Sequence, residues 1–258
     1  MGFLNYIFKY KLIFIVAGAL ITIDCAGNKP IDTMPLEKRF ERGQEFLKKK
    51  KYHQAQQEFQ IIVLSGSHTD LGDDAQFYLA ESFFKNKEYL IAISEYERLT
   101  RKMKFSPYVE KARWRICEAY VAESPKYYHD QTNTDKALQK LQEFIDEYPN
   151  SEFRDEANDT INKLRNKLAE KILKSAILYT KLHAYDSAII AYNDLLSKYY
   201  DTEQASAAHV GIIHANILMK NFDEARTYFA ENEGKIVESE LKNKAREYIA
   251  SIKLDKNL

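Results

Sequence analysis

Glycine and proline are scarce in this chain, 8 and 5 in 258 residues. A many-turned β fold needs such residues at its corners, so their scarcity argues against that class. Net charge is missing as well. Lys and Arg number 38, Asp and Glu also 38, so no overall field selects nucleic acid or an acidic substrate. Cysteine is limited to Cys25 and Cys117. Cys117 lies inside an apolar helical pattern and reads as a small core residue. There is no Gly-rich phosphate loop. The six histidines, His53, His68, His129, His183, His209 and His214, are scattered, and the His209–His214 spacing does not put two ligands on one helical face. No Cys–His or Ser–His–Asp set is suggested by neighbouring residues, although a triad assembled in space leaves no such trace. Local sequence therefore points to no catalytic residue, metal or cofactor, and to a non-enzymatic protein.

What is present is a repeated unit. In Asn86–Leu99 an aromatic, Tyr89, is followed by Ala92, Tyr96 and Leu99. Steps of three and four place all of them on one helical face. Tyr52, Ala55, Phe59 and Ile62 repeat the unit upstream. Tyr185, Ala188, Tyr192 and Leu195 repeat it downstream, as do Phe222, Ala225 and Phe229, with a degenerate copy at Ala137, Leu141 and Phe144. A further helical pattern precedes each unit. Its small residue falls twelve positions earlier in the regular copies: Gly43 to Ala55, Ala80 to Ala92, Ala176 to Ala188. Two short antiparallel helices crossing at their small residues satisfy this register, which matches the tetratricopeptide pattern. The expected fold is an all-α, tetratricopeptide-like solenoid of about five helix pairs, closed by a polar-backed helix over Glu238–Leu254.

The second-helix alanines are 37 residues apart at both ends (Ala55 to Ala92, Ala188 to Ala225) but 45 and 51 apart in the middle. One addition is the polar stretch Ser124–Asn133, ending at Thr134, a suitable N-cap. It reads as a protruding loop, either functional or simply tolerated. The other is helical. No Gly or Pro occurs between Pro149 and Gly211, and Tyr148-Pro149-Asn150-Ser151 stops one helix and caps the next. The spacing predicts one long helix from about Ser151 to Lys181, roughly 45 Å at ~1.5 Å per residue. Asp201-Thr202-Glu203-Gln204 reads as a capping-box-like start to the last pair.

The N-terminus reads as an address. Lys9 and Lys11 precede the uncharged apolar run Leu12–Ile23. That run is too short for a span of ~20 apolar residues and fits a signal-peptide core. It ends on Cys25 in a context that resembles a bacterial lipobox, with Thr22 and Asp24 where lipoboxes prefer Leu and a small residue. Lipidation of Cys25 would tether the protein to a membrane face. An ordinary secretory signal or an uncleaved anchor, with Cys25 incidental, is the alternative. The implied organisation is a signal over 1–24, a tether over 25–34, N-terminal repeats over 35–150, a connecting helix over 151–181, and C-terminal repeats with a cap over 182–258.

Stacked helix pairs make a concave face lined by their first helices. Positions just beyond the small-residue face should point into it. These are Phe40, Gln44 and Leu47, then Phe77, Glu81 and Phe84, then Ile116 and Tyr120. They would hold a peptide by apolar contact, with Gln44 and Glu81 directing its backbone. The alternative is that they pack between repeats.

With these residues in place the chain resembles the BamD family of outer-membrane β-barrel assembly lipoproteins. The resemblance is carried by the ordered helix pairs behind Cys25, by Ser124-Pro125-Lys126-Tyr127 with Asp130-Gln131-Thr132, by Tyr148–Ser151, and by Leu164-Arg165-Asn166-Lys167-Leu168-Ala169-Glu170. It implies a lipid-anchored component on the periplasmic face of the outer membrane. The C-terminal repeats would dock the barrel-forming BamA subunit, and the N-terminal groove would meet unfolded barrel proteins. A periplasmic tetratricopeptide adaptor for cell-wall or division machinery is the other reading.

Overall fold

The computed structural model describes residues 34–66 and 71–255. The expected signal segment, most of the tether, Cys25 and His68 lie outside the described residues. Ten helices form five antiparallel pairs: α1 (Leu36–Lys48) with α2 (Tyr52–Gly66), α3 (Gly72–Lys85) with α4 (Tyr89–Lys102), α5 (Val109–Glu123) with α6 (Thr132–Glu147), α7 (Arg154–Lys181) with α8 (Tyr185–Tyr199), and α9 (Ala205–Leu218) with α10 (Phe222–Asn232). A 3-10 turn, Glu233–Lys235, leads to α11 (Ser239–Asp255), which closes the last pair. No helix among the described residues is long and apolar enough to cross a membrane. The fold is a tetratricopeptide-like α-solenoid.

The twelve-residue register works as the pattern implies. Ala55, Ala80, Ala92, Ala176 and Ala188 have no exposed surface. A Cβ on Gly43 would stand 2.8 Å from the Phe59 ring, so this crossing accepts no side chain without displacement. Ala92 has the same role in the second pair. Ala92→Leu forces three more heavy atoms into a closed contact and should cost ~1–3 kcal/mol. A lowered thermal midpoint is the expected result; an unchanged one would mean that Ala92 is not at a helix contact.

The core is a string of local clusters. Phe59, Ile62 and Leu79 join the first two pairs, and Tyr96, Leu99 and Ile116 the second and third. Trp114, Phe144 and Leu164 form the middle cluster, with Cys117 inside it. Burial pushes the Cys117 thiol up to about 12, which makes it an inert packing group. Helix α7 belongs to two clusters: Ala157 and Leu164 pack with α5 and α6, while Ala169 and Ala176 pack with α8 and α9. The long helix is thus the shared wall between the two groups of repeats.

Four hairpin turns use one device. Lys50, Lys87, His183 and Lys220 have φ of 57°, 64°, 60° and 63°. Each lies two residues before the aromatic that opens the second helix. In every case the next residue bonds back to the carbonyl five positions earlier, as Lys51 N–H does to Phe46 O (2.8 Å) and Glu88 N–H to Phe83 O (3.0 Å). These are Schellman caps. A side chain at φ > 0 costs ~1–2 kcal/mol that glycine would not. Exposed Lys220→Gly is therefore expected to raise the thermal midpoint, by the equivalent of about 1 kcal/mol; a fall in a melting scan would contradict the account.

The expected side-chain caps do not form. Helix α6 begins at Thr132, before Thr134, and its cap residue Gln131 makes no capping bond. Thr134 is instead buried, its hydroxyl donating to Gln131 Oε1 (2.7 Å) and close to Ser124 Oγ (2.5 Å). Ser151 Oγ accepts from Phe153 N–H (3.2 Å) one turn before α7, which starts three residues later than the pattern suggests. Asp201 turns away from α9 to pair with Arg165 (2.5 Å). Thr134 and Ser151 are taken by neighbours just before the helix, and Asp201 by a residue 36 positions away.

The last pair also carries a pH response. His209 is buried in α9 and shares a 2.8 Å hydrogen bond with the Tyr228 hydroxyl of α10. Burial, with a smaller push from Lys235, brings its imidazole down to about 4. The unfolded chain takes up this proton near pH ~6.5, whereas the folded chain refuses it until about pH 4. Stability from this group is therefore complete above pH ~6.5 and declines as pH falls towards 4, by up to about 3 kcal/mol. Burial lowers His214 in the same direction. Urea midpoints between pH 7 and 4 should fall, and His209→Gln should flatten that fall; identical slopes would refute the assignment.

Candidate functional site

The N-terminal repeats carry, among other hollows, two depressions beside the predicted stripe. The first is an open cleft of about 500 Å³ between α1, the turn into α2, and α3. Gln44 and Leu47 line it, with Tyr52 and Tyr78 as aromatic walls. Lys48, Lys50 and Lys85 supply positive charge, and among the described residues no carboxylate lines the cleft. The α1–α2 pair is held beneath it by Glu58, which accepts from Arg39 (3.2 Å) and from Arg42 (2.7 Å). The Phe40 ring meets Phe59 and Tyr78 edge-on at 5.6 Å, which fixes Tyr78 at the wall.

The second, about 270 Å³, lies between α3, α5, α6 and α7. Phe84, Val121 and Leu141 form its apolar part, and Glu118 and Glu156 its charged part. The Glu118 carboxyl is raised by burial, partly offset by Arg115 at 2.7 Å. The Arg115 guanidinium also lies over the Phe84 ring (5.2 Å) and binds Glu81 (2.6 Å).

The predicted stripe is therefore divided. Gln44 and Leu47 open into the first cleft and Phe84 into the second. Phe77 and Ile116 are 2% and 4% exposed and cannot touch a peptide; Phe77 stacks on Tyr108 at 4.5 Å. Glu81 is buried and accepts from the Tyr96 hydroxyl (2.5 Å), so it directs helices and not a ligand backbone. Phe40 is half-buried against the first cluster, and Tyr120 is half-buried between the second and the middle ones. The reason is topological. Helix α3 is covered by helices on both sides, which closes off Phe77 and leaves Phe84 at a cleft only near the helix end, whereas α1 has no described helix before it. Lys48 and Lys50 read in sequence as a solvated turn. Lys85 and Tyr78 carried no signal, because one helix pattern does not show which residue of the next helix will face it.

Two lysines explain the insertion and the most distinctive motif together. Gln131 folds the 124–131 loop on itself by donating to the carbonyls of Lys126 (2.8 Å) and His129 (3.0 Å). Lys167 of α7 donates to Ser124 Oγ and to Pro125 O (3.0 Å), and Lys171 donates to His129 O (3.1 Å). The insertion does not protrude freely; it is fastened to the long helix. On the other side Arg165 donates to Lys198 O (3.1 Å), and Asn166 Oδ1 accepts from Glu203 N–H (3.1 Å). Leu164, Leu168 and Ala169 are buried beneath. The Leu164–Ala169 segment is a two-sided staple between the third pair and the loop before α9.

Residues 32–231 match the family model described as YfiO, outer membrane lipoprotein. The chain belongs to this family. Outer membrane protein assembly factor BamD of Vibrio cholerae serotype O1 (strain ATCC 39315 / El Tor Inaba N16961) is 25% identical over 146 residues, 52% of this chain and 59% of that relative. The match thus spans less than two thirds of the relative's length. Among solved structures, the TPR2AB-domain:pHSP90-complex of yeast Sti1 is 17% identical with a TM-score of 0.44, covering 84% of this chain and 96% of that one. A thermophilic TPR protein of Thermus thermophilus, TTC0263, is 16% identical with a TM-score of 0.35, covering 84% and 100%. The YfiO family match takes in both N-terminal clefts, the fastened insertion and the staple.

Proposed function

We propose that this YfiO-family chain is a lipid-anchored, non-enzymatic scaffold of outer-membrane β-barrel protein assembly. Its organisation in this reading is a signal over 1–24, an acylated Cys25 with a short tether, and two groups of repeats facing the periplasm. The C-terminal repeats dock a BamA-like barrel subunit. The N-terminal cleft receives segments of unfolded barrel proteins. The observation that carries the reading is the family match over 200 of 258 residues, 32–231. The open cleft supports the substrate part of it. An extended segment of a barrel strand alternates apolar and polar side chains, and Tyr52, Tyr78 and Leu47 offer apolar contact beside three lysines that receive carboxylates or carbonyls.

The test is crosslinked co-purification of the tagged full-length chain from membranes. Recovery of a β-barrel protein bearing periplasmic repeat domains is expected; recovery of soluble envelope enzymes alone would sink the proposal. Cys25→Ala should move the chain from the membrane fraction to the soluble one. Retention in the membrane would remove the lipid anchor from the reading while leaving the scaffold part open to the crosslinking result.

A further inference from the structure

A third concavity lies in the C-terminal half, between α7, α8, α9 and α11, with a volume of about 320 Å³. Its floor is aliphatic: Leu173 and Ile177 from α7, Val210 from α9, Leu241 from α11. Two tyrosines complete it. Tyr192 is buried and lies so close to α9 that a Cβ on Gly211 would stand 2.3 Å from its ring; glycine is what gives the ring its place. Tyr248 stacks face to face on His214 at 4.4 Å, the planes 4° apart.

The charge around this floor is one-sided. Lys181 and Lys244 lie at the rim with His214, and among the described residues no Asp or Glu lines the cavity. Lys181 takes part in no ion pair or hydrogen bond among the described residues, and Lys244 only approaches the Tyr248 ring (5.9 Å). Several other cations of this half are paired, Lys198 with Asp194 (2.7 Å), Arg226 with Asp223 (3.2 Å) and Arg246 with Glu233 (2.6 Å), whereas the two that line the cavity are not. In a chain of zero net charge, positive charge is left unmatched here, beside an apolar floor.

We propose that this cavity seats a segment of a partner protein in which a carboxylate side chain neighbours a large apolar one. The apolar side chain takes the floor between Tyr192 and Tyr248, and Lys181 and Lys244 take the carboxylate from opposite rims. Charge-assisted bonds beside a desolvated surface are stronger than those in open water and orient the segment. The inference rests on the reading that the C-terminal repeats carry a partner surface, and adds which residues form it and what chemistry they select.

The test places the photo-crosslinker benzoylphenylalanine at position 241 of the full-length chain in cells. The expected adduct maps to one partner segment with an Asp or Glu within two residues of an aromatic or large aliphatic residue. Lys181→Glu with Lys244→Glu should reduce that adduct at least tenfold while leaving the thermal midpoint nearly unchanged, since neither lysine holds an ion pair or hydrogen bond among the described residues and Lys244 gives up only its approach to the Tyr248 ring. A synthetic copy of the segment should bind the purified chain, and its amide version (Asp→Asn or Glu→Gln) should bind at least tenfold more weakly. No adduct from position 241, an adduct insensitive to charge reversal, or equal binding of the amide peptide would each overturn the assignment. If the charge-reversed chain still recovers the barrel protein in full, the cavity inference fails and the scaffold reading stands. If the wild-type chain recovers no barrel protein, the scaffold reading fails, and the adduct decides the cavity separately.

Discussion

Replacing Glu81 by alanine should lower stability by ~3–5 kcal/mol, the cost of leaving a buried ionic partner unpaired. One carboxylate oxygen of Glu81 accepts from the Tyr96 hydroxyl of α4 (2.5 Å) and from Arg115 Nε of α5 (2.6 Å). Tyr96 is completely buried. Its phenol is held well above the ordinary tyrosine range, by burial first and then by the adjacent Glu81 charge. Removing the carboxylate therefore strands a hydroxyl with no access to water and a guanidinium with only Glu118 left to pair it. For a protein of this size each kcal/mol moves the thermal midpoint by ~2–4 °C, so a fall on the order of 10 °C is expected. Glu81→Gln keeps an acceptor oxygen and most of the shape, and should lose less. A solenoid's stability is local, so hydrogen exchange in α3, α4 and α5 should accelerate more than in α9 to α11. Equal exchange throughout, or an unchanged midpoint, would show that the network is not a stabilising one.

Trp114→Ala is expected to cost a similar ~3–5 kcal/mol, the range for emptying a buried large aromatic position. The indole is 5% exposed. It stacks on Phe153, 5.2 Å away with the planes 7° apart, and tilts against Phe144 at 5.4 Å. Phe153 is the residue immediately before α7, so the stack pins the start of the long helix to the third pair. The consequence goes beyond an average loss of stability. The first turns of α7 should become open to trypsin at Arg154 and Lys163 before the remaining helices do. Trp114 is the chain's single tryptophan, which makes Phe153→Ala a complementary measurement. Its emission should shift to the red and become accessible to acrylamide while the far-ultraviolet spectrum keeps its helical form. Blue emission that stays shielded in Phe153→Ala would mean that the stack does not protect the indole.

The helix pairs were legible in the sequence because a crossing of two helices demands a small residue at a definite place in each. Gly43, Ala80 and Ala176 with their partners twelve residues on meet that demand directly. The length of α7 was legible because apolar positions from Phe153 through Ala157, Ile161, Leu164, Leu168, Ile172 and Ala176 to Tyr179 continue in steps of three and four. The turns were less so. Lys50, Lys87, His183 and Lys220 take the left-handed conformation without glycine's signature, since the two backbone bonds of each Schellman cap compel it. Caps at Thr134, Ser151 and Asp201 were misleading because a hydroxyl or carboxylate near a helix start is equally free to bond within the preceding turn, as Ser151 does with Phe153, or to serve a residue far along the chain, as Asp201 serves Arg165.

The groove shows the same limit. Heptad spacing tells that Phe77 and Phe84 share a face of α3, and says nothing about what covers that face. Phe77 fell under Tyr108 of the next repeat, while Phe84 stayed at a cleft. The three lysines of the first cleft come from two helices and a turn, and the cations of the C-terminal cavity from α7 and α11.

By itself the sequence determined the number of helix pairs, their register and the length of the helix that joins the two groups. Periodicity and small-residue spacing are properties of one segment and its immediate neighbour, and can be read along the chain. Only the tertiary structure decided which face is open, where charge goes unpaired, and that the 124–131 insertion is fastened to α7. Exposure and pairing depend on which side chains arrive from helices tens of residues away, and stacking the pairs is what brings them together.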